Sequence, residues 1–139
     1  MMPAIAELRQ FAKRYTVAWC SHQAASVAGF YAQNGTLRIN DGAAAEGRGA
    51  IAEAAQGFMT AFPDLRVLMD DVVLRGDGAE YQWTLVGTNT GSGGTGQRVR
   101  ISGFEMWKIG EDGLIAESEG HFDRADYQRQ LEFGVEGTK

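Results

Sequence analysis

The chain predicts an α+β domain in which a curved antiparallel sheet wraps around three N-terminal helices. Three observations carry that expectation. Apolar residues recur at helical spacing as far as Phe62, and they alternate at strand spacing from Leu65 to Phe122. The strand-like runs are also consecutive, so they pair as a meander beneath the helices that precede them.

Taken in order, the residues from Ala4 to Cys20 place Ile5, Leu8, Ala12, Tyr15 and Trp19 along one stripe of a first helix. "SHQAASVAGFYA" reads as a second, short helix with Ser21 as candidate N-cap, and "GTLRIN" as a brief strand. "GRGAIAEAAQGFMTAF" forms a third helix with Ile51, Ala55, Phe58 and Phe62 on one side, and Pro63 stops it. Strands follow at Leu65–Leu74, Glu80–Thr90, Arg98–Ile109 and Leu114–Phe122. "DRADYQRQL" closes as a helix, with Asp123 and Asp126 spaced as a capping pair. No repeat or linker divides the sequence, and 139 residues suit one domain spanning 1–139.

Bulk composition narrows the function classes. An apolar fraction of 44% with 22% charged residues is that of a soluble globular protein. A net charge of −5, with the Lys and Arg residues scattered, speaks against nucleic acid or an anionic membrane as partner. Cys20 is the single cysteine, which excludes an internal disulfide and fits a reducing compartment. Charged residues interrupt the N-terminal apolar pattern, so no signal peptide is expected, and no apolar run is long enough to span a bilayer. The expected location is the cytoplasm.

Alternation then assigns faces. On Glu80–Thr90, Tyr81, Trp83, Leu85, Gly87 and Asn89 share one side; on Arg98–Ile109, Val99, Ile101, Gly103, Glu105, Trp107 and Ile109 do. These more apolar sides should meet the helices. Glu105 is the anomaly, a carboxyl in an inward apolar row, and burying it demands neutralisation or hydrogen bonds. Tyr15 or an indole N–H are candidate partners. A structural hydrogen bond and a functional role explain such a residue equally well.

"ESEGHFDR" raises the competing possibility, since Glu117, Glu119, His121 and Asp123 alternate along one side. A two-residue type I′ turn at Asp112-Gly113 pairs Glu111 with Leu114. Counting outward, Lys108 faces Glu117, Trp107 faces Ser118, Glu105 faces Gly120, Phe104 faces His121 and Gly103 faces Phe122. Opposite charges then meet across the ladder and bulky rings meet small residues. The acid-rich row turns outward, leaving Ser118, Gly120 and Phe122 inside. A slip of one residue would reverse these faces. Same-face neighbours stand ~6.5–7 Å apart along a strand, too far to converge on one ion, and with two histidines in the chain no metal site is expected. His22, at a helix boundary, reads as a local hydrogen-bonding or surface residue. "GSGGTG" at Gly91–Gly96 has the letters of a dinucleotide-binding loop, but it joins two strands and no helix follows to hold a phosphate; no cofactor is indicated. Trp19, Phe58, Phe62, Trp83, Trp107 and Phe122, each readable as plain core, become candidate pocket walls because Glu105 stands among them, with Gly120 at its cross-strand position.

The segments "RYTVAWCSHQAASVAGFYAQNGTLRIND", "GRGAI", "FPDLRV", "WTLVGTNTG", "ISGFEMWKIGEDGLIAE" and "FDRADYQRQL" together resemble the NTF2-like superfamily, in particular its SnoaL-like, polyketide or ester cyclase-like branch. The resemblance covers nearly the whole chain. It implies a cone-shaped α+β barrel, a deep pocket between helices and sheet, and a homodimer through the outer sheet face, which would account for Phe104 and Met106 among outward polar residues. Ketosteroid isomerases of the same superfamily hold an enolate between a tyrosine of the first helix and a protonated acid on the penultimate strand; Tyr15 and Glu105 fall at those places. The isomerase base falls at Ile39, with Asn40 and Asp41 displaced from it, and the aspartate that SnoaL-type cyclases carry on the last strand falls close to Gly120. The donor half of an enolate-binding site is therefore present and the usual base is not.

The expected function is acid–base chemistry on a small apolar carbonyl compound, of cyclase, isomerase or hydrolase type. Glu105 would be acid or base, and Tyr15 a donor to a developing oxyanion. Two further readings remain open, a non-catalytic binding protein for a small apolar ligand and a dimeric interaction module without ligand. An empty apolar cavity of several hundred cubic ångströms would favour a ligand, and a filled one would not.

Overall fold

The computed structural model describes residues 5–76 and 78–136. Among them are four helices and six strands, in the order α1 (Ile5–Cys20), α2 (Ala24–Ala28), β1 (Tyr31–Ile39), β2 (Ala45–Glu46), α3 (Gly47–Ala61), β3 (Arg66–Arg75), β4 (Gly78–Thr88), β5 (Arg98–Ile109), β6 (Ile115–Phe122) and α4 (Arg124–Phe133). Ala4, where the sequence starts the first helix, lies outside the described residues. The strands form one curved, unclosed sheet in the order β2-β1-β6-β5-β4-β3. β3 through β6 are the antiparallel meander that the sequence predicts. β1 joins the other side of β6 in parallel, made possible because the two are not consecutive in the chain.

The sheet's concave side receives the helices. α1 buries Leu8, Ala12, Tyr15 and Trp19 along one stripe, while Ile5, at the helix's first turn, stays 37% exposed. α1 lies against β3, α3 against β1 and α4 against β5. The second helix is shorter than expected. It ends at Ala28, and Tyr31 already belongs to β1. Ser21 is not its cap: Gln23 holds that position without a side-chain bond, and the Ser21 hydroxyl donates back to the Ala18 carbonyl at the end of α1. Asp123 does cap α4, accepting from the Asp126 N–H at 3.0 Å.

Register settles which side chains face inward. Lys108–Glu117, Trp107–Ser118, Glu105–Gly120, Phe104–His121 and Gly103–Phe122 are the observed pairs, with Lys108 Nζ 3.2 Å from Glu117. The turn that sets this register differs from the expected one. A type I′ turn needs positive φ at both central residues; Gly113 has φ 79°, whereas Asp112 is not among the residues of positive φ. Instead the Asp112 carboxylate accepts from Leu114 N–H, Gly110 N–H donates to Leu114, and Ile109 pairs with Ile115. Ala116, left over between Ile115 and Glu117, forms a bulge that shifts the ladder by one and restores the pairing beyond it. The GSGGTG segment is a loop between β4 and β5, organised by the Asn89 side chain, which accepts from Thr95 N–H at 2.8 Å.

Candidate functional site

Glu105 sits in the middle of β5 on the inner side, 7% exposed. Four donors reach one of its oxygens. Ser118 Oγ donates to Oε1 at 2.7 Å, Trp107 Nε1 at 2.9 Å, the Tyr15 hydroxyl at 3.0 Å and the Tyr31 hydroxyl at 3.4 Å. Oε2 has Tyr15 alone among the described residues, at 3.2 Å. The two tyrosine hydroxyls are themselves 2.9 Å apart. Each has one proton, so when Tyr15 donates to the carboxylate, Tyr31 can donate to Tyr15. Oε1 is thus committed to the protein, and Oε2 keeps unused acceptor capacity.

Opposing influences act on this carboxyl. Burial is the largest and raises its pKa; the bonds from Trp107, Ser118, Tyr15 and Tyr31 favour the charged form and lower it. The balance lies above the ordinary glutamate value. Burial likewise pushes the Tyr15 and Tyr31 hydroxyls well above theirs, helped by the charge of Glu105. Both remain neutral donors.

A cavity opens beside Glu105 between the sheet, α1, α3 and α4. Trp19, Phe58, Trp83, Phe122, Gly120 and Glu105 itself, all expected from the sequence, line it. Three expected members do not. Tyr15 stands behind Glu105, enclosed by the rings of Tyr81, Trp107 and Phe30. Trp107, 1% exposed, is stacked on Tyr81 at 4.9 Å and meets the site only through its indole N–H. Phe62 is fully buried past the end of α3 and packs over Gly87, where an added Cβ would lie 3.0 Å from it. Its role is packing, so the expectation that Phe62 and Trp107 are wall residues is corrected. Sequence reasoning missed Leu37, Val67, Leu85, Ile101, Tyr81 and Tyr127 on the wall, although the β4 and β5 members share the inward rows already identified. It also missed Tyr31, assigned to the second helix, as a partner of Glu105.

The wall is overwhelmingly apolar. The space available to water-sized molecules is about 50 Å³, whereas one water needs at least ~10–15 Å³ on that measure. This is smaller than the several hundred cubic ångströms set out above for a ligand pocket. A ligand must be slender, or the half-buried Phe58, Phe122 and Tyr127 must yield to admit it. Ile39 and Gly120 both line the cavity, so the two positions where the resemblance places a base are on the wall and carry none. His121 is on the opposite side of the sheet, its ring 5.0 Å from Phe104. His22 is exposed, with Nε2 3.2 Å from the Leu65 carbonyl. Among the described residues no three His, Cys, Asp or Glu side chains group as metal ligands would, and no helix is long and apolar enough to cross a membrane.

The sequence profile of the SnoaL-like polyketide cyclases matches residues 9–131. The chain belongs to that family. Solved structures agree on the fold. A protein from Jannaschia sp. CCS1 assigned to the SnoaL-like polyketide cyclases superposes with a TM-score of 0.80 at 17% identity, over 95% of this chain and 96% of its own. TsrD from Streptomyces laurentii gives 0.79 at 22% identity, over 94% and 98%. A protein of ketosteroid isomerase-like fold from Catenulispora acidiphila DSM 44928, solved in complex with trimethylamine, gives 0.78 at 14%, over 94% and 98%. No protein of curated function is similar enough in sequence to match this SnoaL-like chain.

Proposed function

We propose that this SnoaL-like protein is an enzyme that moves a proton within a small, largely apolar carbonyl compound, with Glu105 as the group that takes and returns it. The observation that carries the reading is the division of labour in one carboxyl: Oε1 within hydrogen-bond distance of four donor groups, Oε2 with capacity left, in a residue that lines an apolar cavity. A general base near neutrality needs a pKa raised toward the working pH, and burial moves Glu105 in that direction. Oε2 accepts the proton of a C–H next to a carbonyl, the C–H electron pair becomes the enolate double bond, and the carbonyl pair moves onto oxygen. The proton then returns from Oε2 to carbon. Tyr15 acts through Glu105, as a positioning residue.

A panel of small enolisable ketones and esters, followed by turnover and by exchange of the α-hydrogen in heavy water, tests this. Wild type should promote exchange, and Glu105→Gln should lose at least about a hundredfold, the usual scale of general-base catalysis. Undiminished exchange in that variant removes Glu105 from the reaction. The lack of a second proton acceptor at Ile39 and Gly120 favours a second reading, a binding protein for the same ligands; saturable binding without exchange in wild type would select it. The chain is further proposed to form a homodimer through the outer sheet face, supported by Leu68, 42% exposed, and by half-buried Phe104 and Met106 on that side.

A further inference from the structure

Two buried side-chain donors have no partner among the described residues, Asn40 Nδ2 and Trp83 Nε1. Of the two residues, Trp83 lines the cavity and Asn40 does not. Native proteins rarely leave a buried N–H unpaired, because it forfeits its bond to water and gains nothing. A phenylalanine at 83 would fill an apolar wall without that cost, so the indole nitrogen needs a reason.

Its position supplies one. On the inner side of the sheet Trp83 pairs with Gly103, and the next inward pair is Tyr81 with Glu105. Trp83 and Glu105 are therefore diagonal neighbours, ~7–8 Å apart at the backbone. Gly103 makes the placement possible, since a Cβ there would lie 2.6 Å from Trp83 Cζ2. The Phe122 ring closes against the indole edge-on at 6.0 Å. Glu105, with acceptor capacity left on Oε2, and Trp83, whose N–H has no partner among the described residues, thus line the same cavity from adjacent strands.

We propose that the Trp83 indole N–H donates to an oxygen of the bound molecule and so selects compounds carrying a carbonyl or similar acceptor oxygen beside the carbon that faces Glu105. This rests on the proposed chemistry and names a residue and a ligand feature that it left open. In that reaction the N–H would hold the oxygen on which charge develops.

Cyclobutanone and methylenecyclobutane are suitable probes, since they differ in replacing C=O by C=CH₂ at nearly constant shape. Wild type should bind the ketone about fivefold to tenfold more tightly, the value of one neutral hydrogen bond, and Trp83→Phe should erase that preference while keeping the alkene affinity. In wild type labelled at the indole nitrogens, saturating ketone should move the Trp83 N–H proton resonance downfield and the alkene should not. The Trp107 resonance, already engaged with Glu105, should stay in place. A preference that survives in Trp83→Phe, or ketone and alkene shifts that coincide at saturation, would overturn the assignment. Loss of exchange in Glu105→Gln beside an unchanged preference in Trp83→Phe sinks this assignment and leaves the proposed chemistry standing. A ketone-selective shift at Trp83 in a protein that exchanges no hydrogen does the reverse.

Discussion

Replacing Glu105 by Ala and by Gln separates the two effects that compete at this residue. In Glu105→Ala, Tyr15 and Tyr31 can still bond each other across their 2.9 Å separation, which occupies one hydroxyl proton. The other hydroxyl proton, the Trp107 indole N–H and the Ser118 hydroxyl lose their acceptor. A buried donor left unsatisfied costs about 1–3 kcal/mol; three of them sum to roughly 3–9 kcal/mol, reduced because neighbours are not additive and a serine hydroxyl can rotate. Against this stands the relief of removing a buried charge, which can make such a substitution neutral or better. The raised pKa keeps the carboxyl neutral to a higher pH than an ordinary glutamate, so toward acid pH relief is small and the orphaned donors win. Glu105→Ala should then lose about 3–5 kcal/mol, a fall of about 1.5–2.5 M in urea midpoint if m is ~2 kcal/mol/M. Glu105→Gln keeps an acceptor at Oε1 and places an amide where Oε2 stood, beside the Tyr15 oxygen, so its loss should stay below about 1.5 kcal/mol. Urea titrations of the three proteins by circular dichroism measure this. If Ala proves no worse than Gln, the four-donor cluster does not stabilise the fold and the reasoning fails.

The same carboxyl predicts a pH dependence. Its folded pKa lies above the unfolded one, so as pH rises past the ordinary glutamate value the unfolded chain releases this proton first and the native state binds more protons. Its contribution to stability is therefore present at low pH and lost as pH climbs toward the folded pKa; the wild-type minus Glu105→Gln difference should decline across that window, and a flat difference would refute the shift. On the outer sheet face, Met106→Glu should convert a sedimenting dimer to monomer without lowering the thermal midpoint of the monomeric fold. A wild type that sediments as monomer at high concentration would end the dimer proposal.

What could be read from the sequence follows from what alternation encodes. It gives the side of the sheet, which is why Glu105 and the outward row at Glu117, Glu119 and His121 were legible. The register counted from a two-residue turn, and supported by the charge pair Lys108–Glu117, matches the observed one because a five-residue loop with a bulge at Ala116 yields the same pairing as a two-residue loop without one. Alternation does not give depth along the cone. Phe58 and Phe62 lie four residues apart at the end of one helix pattern, yet one lines the cavity and the other packs on Gly87. Trp83 and Trp107 share the inner side, yet only the first has its ring at the wall. Depth depends on where the curved sheet leaves a gap against the helices, which is a property of the assembled layers. Tyr31 was hidden for a different reason: "GFYA" continues a helical pattern locally, and the pairing of Tyr31 with Ile115 overrides it.

The two wall positions without an acid, Ile39 and Gly120, constrain the chemistry more than the acid that is present. Two carboxyls at separate points can deprotonate one atom while protonating another, and their roles divide by environment. One carboxyl cannot do both at once. If Glu105 carries the reaction, one oxygen both removes a proton and gives one back, so part of what it removes returns to the same molecule before solvent exchanges the rest. The apolar wall favours that outcome, because among the described residues it offers the proton no other carboxylate or imidazole. Chemistry that returns a proton to the molecule it came from fits the role proposed for such a site. In a substrate labelled with deuterium at the α-carbon, the label should therefore be retained in part in the product. Complete washout to solvent on the first turnover would mean that Oε2 exchanges freely with water and that the cavity is wetter than its lining implies.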